Sequence, residues 1–229
     1  VWGQGVILGN AEEEFKTFLE TSGIPAAWTI LGLSALSTDH PSNRGMVGMH
    51  GNYAPNLLTN ECDLLIAIGM RFDDRVTGDL NTYAKQAKII HLELDPAEIN
   101  KNVTVDVTLH ADCKISLQEL NKRIKPKTYP EWIARFDALD KIEYDKVIKS
   151  DLLPKKEGLT MGESVEMINK HSKNDAVIVT DVGQHQMVAC RYAKFSQSKS
   201  NVTSGGLGTM GFALPAAIGA KMGAPHREV

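Results

Sequence analysis

Residues 63–78 read Asp-Leu-Leu-Ile-Ala-Ile-Gly-Met-Arg-Phe-Asp-Asp-Arg-Val-Thr-Gly, and no other stretch restricts the fold of this chain as tightly. Leu64, Leu65, Ile66, Ala67 and Ile68 form an unbroken apolar run. It is too short for a stable helix and rich enough in branched side chains for a strand buried on both faces of a parallel sheet. Gly69 ends the run, and Arg71, Asp73, Asp74 and Arg75 follow at once. Open α/β sheets place their ligands just beyond the carboxyl ends of such strands. The competing reading, a solvated turn, gives no reason for two arginines to alternate with two acids.

The rest of the chain supports an α/β class. Length (229 residues), 42% hydrophobic and 23% charged composition allow one large or two ordinary domains with a real core. The net charge of −3, with no basic block, argues against a nucleic-acid surface. Cys62, Cys113 and Cys190 are odd in number and far apart, which fits a reducing, cytoplasmic compartment rather than a disulfide framework or a zinc site. No apolar segment reaches the ~20 residues of a membrane span. Val1 at one end and an apolar strand about to begin at Val229 read as a piece of a longer polypeptide.

Gly3, Gly5 and Gly9 resemble a dinucleotide loop with its third glycine one place late, and serve an ordinary tight turn equally well. Asn10 is a candidate N-cap with Glu12, Glu13 and Glu14 in the first helical turn. A strand is expected over 26–31, and a glycine- and methionine-rich loop over 45–51, either admitting a flat aromatic ligand or packing on its own methionines. His50 lacks a metal-ligand spacing to any partner and suits a hydrogen bond. Helices are expected over 53–62 and 116–124, strands over 88–94 and 103–109, and a turn at 95–100 with Pro96 at a first helical position. This βα alternation indicates a doubly wound parallel sheet.

Lys125-Pro-Lys-Thr-Tyr-Pro130 breaks the pattern. The expected organisation is a first domain over 1–127, a bridging helix and linker over 128–158, and a second α/β unit over 159–229. The bridging helix, 131–150, carries Trp132, Phe136, Leu139 and Val147 as a buried stripe, and 152–158 forms the linker. Thr160 caps a helix over 161–170, and 176–181 is another buried strand. At its end Asp181-Val-Gly-Gln-His-Gln186 forms a strand-to-helix turn whose free N–H groups suit a diphosphate. Ser204-Gly-Gly-Leu-Gly-Thr-Met-Gly211 is a second glycine loop, leading into a small-residue helix over 212–221 expected to pack closely.

Gly45-Met-Val-Gly-Met-His-Gly51, Arg71-Phe-Asp-Asp-Arg-Val-Thr-Gly78, Val182-Gly-Gln-His-Gln-Met187 and the run from Ser204 through Phe212-Ala-Leu-Pro-Ala-Ala-Ile-Gly219, in that order, resemble the catalytic subunits of the acetolactate synthase (acetohydroxyacid synthase) family. The resemblance covers essentially the whole chain. It implies a Rossmann-like central domain that binds FAD, followed by the first part of an α/β thiamine-diphosphate-binding domain. It places FAD against Gly3, Gln4, Gly5, Thr29, Ile30, Leu31, Gly48, Met49, the stretch from His50 through Gly69 to Arg71, Asp73, Arg75, the stretch from Glu93 through Leu94 to Asp112 and, from the second unit, Gln186. Arg71 suits a phosphate, and Glu93 at a strand end suits ribose hydroxyls.

The same resemblance gives thiamine diphosphate to Val182, Gly183, Gln184, His185 and Gly208, with Met210 wedged beneath it to bend it, and assigns catalytic roles to Arg75, Gln184 and Met210. It implies decarboxylation of pyruvate and condensation of the hydroxyethyl unit with pyruvate or 2-ketobutyrate, with FAD structural. Arg75 is the candidate for the second ketoacid's carboxylate. The activating glutamate and the magnesium ligands would lie outside this chain, so the piece alone is expected to be inactive. A homodimer or tetramer and a regulatory small subunit are further implications. Val188 where tryptophan is common, Ile30-Leu31 for a Leu-Met pair, and Gln4 between the glycines depart from the pattern. The rivals are another thiamine-dependent carboligase, decarboxylase or oxidase, and a non-catalytic nucleotide-binding module.

Overall fold

The computed structural model describes residues 1–153 and 157–229, so Pro154, Lys155 and Lys156 of the expected linker lie outside the described residues. The first part of the chain forms α1 (Gly5–Leu8), α2 (Glu12–Ser22), β1 (Ala26–Trp28), β2 (Asn43–Met46), α3 (Tyr53–Thr59), β3 (Leu64–Ile68), α4 (Asp74–Thr77), β4 (Lys88–Glu93), β5 (Val107–His110) and α5 (Cys113–Asn121). A long bridging helix follows, made of α6 (Pro130–Glu143), a π turn (Tyr144–Ile148) and α7 (Lys149–Leu152). The second unit contains α8 (Met161–Ser172), β6 (Ile178–Thr180), α9 (Gln184–Tyr192), β7 (Asn201–Thr203) and α10 (Ala213–Gly223).

β1 pairs with β2, β3 with β4 and β4 with β5, all parallel. Trp2 closes the gap by bridging Trp28 on one side and Ile68 on the other. Counting Trp2 as the first strand, the spatial order is 3-2-1-4-5-6, the order of a doubly wound dinucleotide-binding sheet. A single residue replaces a full first strand because Val1 and Gly3 extend the ladder through their main chains. The Ile68 amide donates to the Val1 carbonyl at 2.9 Å, and the Gly3 amide donates to the Ile68 carbonyl at 2.9 Å.

Both faces of the sheet are covered. On one, Ile68 and Leu92 join Trp2, Phe15, Leu19 and Leu117 in the main core, with α2 packed on α5. On the other, Leu65, Ala67 and Ile89 lie under Met70, Phe72, Tyr83 and Ala84. This alternation along β3 and β4 is the period of two that a strand imposes. Leu64 at the start of β3 remains exposed. In the second unit β6 and β7 pair in parallel, and Cys190, Ala193 and Phe195 join the main core, so one apolar cluster runs through both units.

Several elements differ from the sequence expectation, each for a local reason. Asn10 does not cap α2: its φ is +48°, the N-cap is Ala11 without a side-chain bond, and the N-terminal partial charge meets three acids instead. β1 stops at Trp28, because Thr29 accepts a turn bond from the Gly32 amide at 2.8 Å. Residues 95–100 form a turn and no helix, as the Asp95 side chain accepts from the Ala97 amide at 2.9 Å. β5 covers only the end of the expected strand, since Asn100 takes the Val105 amide and Asp106 takes the Ile89 amide, each at 2.9 Å. α5 begins a turn early, where Asp112 accepts from the Lys114 amide at 2.8 Å.

In the bridging helix Phe136 is buried, with Trp132 and Leu139 packed beside Ala54 and Leu58 of α3, yet Val147 is exposed. The π turn that contains Val147 rotates the following residues off the buried stripe. Thr160 caps α8 in a reciprocal capping box with Glu163. β6 is three residues long because Val177 instead bonds the Glu228 carbonyl at 2.9 Å. α10 contradicts the expected close packing: none of its residues is buried, and Leu214, Ile218 and Met222 are exposed. Among the described residues no helix is long and apolar enough to cross a membrane.

Candidate functional site

The strand order reverses between Trp2 and β3, and the chain leaves both at the same sheet edge through glycines. The Gly5 amide donates to the Gly69 carbonyl at 2.9 Å, and the Gly69 amide to the Leu92 carbonyl at 2.8 Å. A Cβ on Gly3 would stand 2.5 Å from the Gly69 carbonyl oxygen, and one on Gly5 would stand 2.6 Å from the Gly69 Cα. These glycines therefore let two loops touch each other at the switch point. The turn at Gly3 and Gly5 leads directly into the four residues of α1.

A cleft of about 930 Å³ opens above this point. It gathers, from the first unit, Gln4, Gly5, Thr29, Ile30, Leu31, Met49, His50, Gly69, Arg71, Asp73, Arg75, Glu93, Leu94 and Asp112. From the second unit it takes Val182, Gln186 and Gly208. Gly3 and Gly48 stand behind the walls, and Gly183, Gln184, His185 and Met210 are likewise not part of the lining.

The 45–52 loop is held from behind. Gly48 has φ +103°, its amide donates to Asn56 Oδ1 and its carbonyl accepts from Asn56 Nδ2, both at 2.8 Å. Asn52 Oδ1 accepts from the Met46 amide at 2.9 Å. Met46 is buried and Met49 is exposed, and both line the cleft. His50 Nε2 is buried without a hydrogen-bond partner among the described residues, so it is available to a polar ligand group.

Charge is distributed unevenly along the cleft. Arg71 makes no hydrogen bond or ion pair among the described residues and is exposed, so its fork is free for an anion. Asp73 caps α4 by accepting from the Arg75 amide at 3.0 Å, and Arg75 Nε lies 3.9 Å from Asp74 with most of its side chain in solvent. Glu93 Oε1 accepts from the amides of Leu94 and Asp95 at 2.8 and 2.9 Å, which leaves Oε2 for a hydroxyl donor. Burial, then the nearby Asp112 and Glu93 carboxylates, pushes the Cys113 thiol up to about 12. Burial pushes Cys190 up to about 12 as well. Both lining thiols are thus neutral and unreactive at ordinary pH.

The opposite wall is α9 and the 204–208 loop. At 100° per residue, Gln186 and Cys190 share a face of α9 while Gln184 projects from the far side. Gln186 is buried and donates through Nε2 to Thr203 Oγ1 at 2.7 Å, and Thr180 donates to the same oxygen at 2.9 Å. Gln184 and His185 are exposed, and Met210 is 83% exposed. Met210 lies between Gly208 (φ +63°) and Gly211 (φ +79°) on this loop. The loop is anchored at its other end: a Cβ on Gly205 would lie 2.6 Å from Leu31 Cδ2.

Met187 and Cys190 also line the cleft and had no role assigned from the sequence, whereas the lining residues Met46, Asp95 and Glu98 fall within the stretches 45–51 and 93–112 already offered to a ligand. Cys190 follows Gln186 by one turn of α9, which is the signal that could have found it. Among the described residues no three His, Cys, Asp or Glu side chains come together as a metal site.

Comparison with known proteins agrees with this geometry. Residues 1–120 match the family model described as "Thiamine pyrophosphate enzyme, central domain", and residues 181–229 match "Thiamine pyrophosphate enzyme, C-terminal TPP binding domain". The chain is 43% identical over 236 residues to a probable acetolactate synthase large subunit of Methanocaldococcus jannaschii, covering 99% of this chain and 39% of the relative. It is 40% identical over 230 residues to the acetolactate synthase isozyme 2 large subunit of Escherichia coli, covering 99% and 40%. To acetolactate synthase 2, chloroplastic, of Nicotiana tabacum it is 40% identical over 228 residues, covering 96% and 33%. The chain therefore spans about two fifths of the length of the curated relatives it matches.

Proposed function

The chain belongs to the thiamine pyrophosphate enzyme family, and from that premise we propose that it is part of an acetolactate synthase large subunit. The observation that carries the reading is the single cleft with two unlike walls. One wall is the switch point of a dinucleotide-type sheet with Arg71, unpaired among the described residues, and the other is the strand-to-helix turn and glycine loop of the second unit. In this reading residues 1–127 form the flavin domain, 128–158 the bridge and 159–229 the start of the diphosphate domain.

FAD fits the first wall. Arg71 would pair with its diphosphate, Glu93 Oε2 would accept from ribose hydroxyls, and His50 Nε2 and the Met49 side chain would meet the more distal part. Thiamine diphosphate, when bound, supplies the carbon nucleophile that takes up the acyl unit of a 2-ketoacid as carbon dioxide leaves. Val182 and Gly208 offer it backbone from within the cleft, whereas Gln184, His185 and Met210 present their side chains on the exposed side of the same turn and loop. Arg75, with its guanidinium in solvent at the cleft edge, would hold the carboxylate of the second ketoacid, pyruvate or 2-ketobutyrate. Magnesium ligands would come from outside this chain. An oligomer with a regulatory small subunit and a cytoplasmic location, favoured by three free cysteines, complete the proposal.

The test is product analysis on the full-length protein with pyruvate, thiamine diphosphate, magnesium and FAD. Acetolactate, and acetohydroxybutyrate once 2-ketobutyrate is added, is the expected outcome. Release of acetate or peroxide with no condensation product would instead place the chain among the oxidases or decarboxylases of the family.

A further inference from the structure

The two walls of the cleft are connected through one buried carboxylate that belongs to neither. Glu143 ends α6, at the start of the π turn, and is 6% exposed. Its Oε2 accepts from the Tyr53 amide at 2.9 Å and from Asn52 Nδ2 at 3.4 Å, and its Oε1 pairs with Arg191 Nη2. Arg191 also donates through Nη1 to the Gly51 carbonyl at 3.3 Å.

Each partner reaches a wall. Asn52, oriented by Glu143, accepts the Met46 amide, and its own amide donates to the Met46 carbonyl at 2.7 Å, which closes the 46–52 loop on itself. Arg191 rides on α9, whose Gln186, Met187 and Cys190 face the cleft from the other side. A carboxylate withdrawn this far from water is tolerable only because two neutral donors, the Tyr53 amide and Asn52 Nδ2, and the Arg191 guanidinium surround it. Arg191 in turn has a buried Nε without a partner, so loss of Glu143 leaves a desolvated guanidinium less compensated. A π turn at the junction sets the azimuth of the helix end at which this side chain sits.

We propose that Glu143 is a positioning residue, whose carboxylate holds the 46–52 loop against α9 and so fixes the spacing of the two cleft walls. For the flavin this rests on the functional reading above, and for the loop it does not.

The experiment compares the full-length protein with its Glu143→Gln variant, which keeps the side-chain shape and removes the charge. Two quantities are read: hydrogen exchange of the amides in residues 46–53, and FAD affinity by flavin fluorescence. The expected result is faster exchange confined to that loop and α9, with FAD binding weakened by about tenfold or more, in the range for loss of a charge-assisted bond. Arg191→Gln should reproduce the exchange pattern. Unchanged loop exchange would overturn the proposal, as would a lower melting temperature with exchange and flavin affinity both as in the parent. If the unaltered protein itself takes up no FAD, the functional reading falls, and loop exchange alone decides the role of Glu143.

Discussion

The Arg75 carbonyl accepts a hydrogen bond from the Met49 amide at 2.8 Å, which ties the charged run after β3 to the methionine loop across the mouth of the cleft. Gly48, with φ +103°, makes the approach possible, since a Cβ there would stand 2.6 Å from that same carbonyl oxygen. Gly48→Ala is therefore expected to cost ~1–3 kcal/mol from backbone strain alone and to displace Met49 and His50. Thermal unfolding with flavin titration checks it. A variant with parental stability and parental FAD affinity would show that the loop does not depend on this contact.

Arg75→Ala should leave the fold intact, because the side chain is largely in solvent and its pairing with Asp74 is loose at 3.9 Å. Handling of the second ketoacid should weaken by ~1.5–3 kcal/mol, the range for losing a charge-assisted hydrogen bond. Steady-state kinetics with pyruvate and 2-ketobutyrate in the full-length enzyme measure the effect. Equal kinetics would remove Arg75 from the acceptor site.

Asp140 makes stability depend on pH in a direction opposite to most carboxylates. Burial raises its pKa to about 6, Arg44 partly opposes this, and Glu143 and Asp137 add to it. The folded chain thus holds this proton more tightly than the unfolded one, so the group favours folding most at low pH. Its contribution is lost as pH rises from about 4, the unfolded value, to about 6. Asp140→Asn should raise the melting temperature relative to the parent above pH 6 and lose that advantage near pH 4. A difference that is flat across this window would contradict the assignment.

Thr160→Ala removes the N-cap of α8 and half of its reciprocal box with Glu163. A loss of ~1 kcal/mol is expected, seen as a lower denaturant midpoint with flavin affinity unchanged, because the helix lies away from the cleft lining. Weakened flavin binding in this variant would mean that α8 communicates with the site.

The site was legible in part because its chemistry sits in local punctuation. The Arg71 to Gly78 run and Glu93 each follow a strand, and strand ends are readable from runs of apolar residues. Gln184 and His185 were read from the same kind of punctuation, whereas Asp112 and Met210 came from the family resemblance alone; the exposure of Gln184, His185 and Met210 was not legible, since a loop's direction depends on what it packs against and not on its own composition.

The α/β alternation, the placement of β3 and β4, the Thr160 cap and the glycine loops are legible in the order of the residues, because they follow from side-chain period and backbone freedom within a few neighbours. The folded chain adds that Trp2 alone completes the sheet between Trp28 and Ile68, that Glu143 joins Tyr53 to Arg191, and that Leu214, Ile218 and Met222 of α10 stay exposed. Those relations connect residues separated by tens of positions. Their energy comes from pairing and burial that exist once the chain has closed on itself, and no local pattern of residues encodes which distant partner will be met.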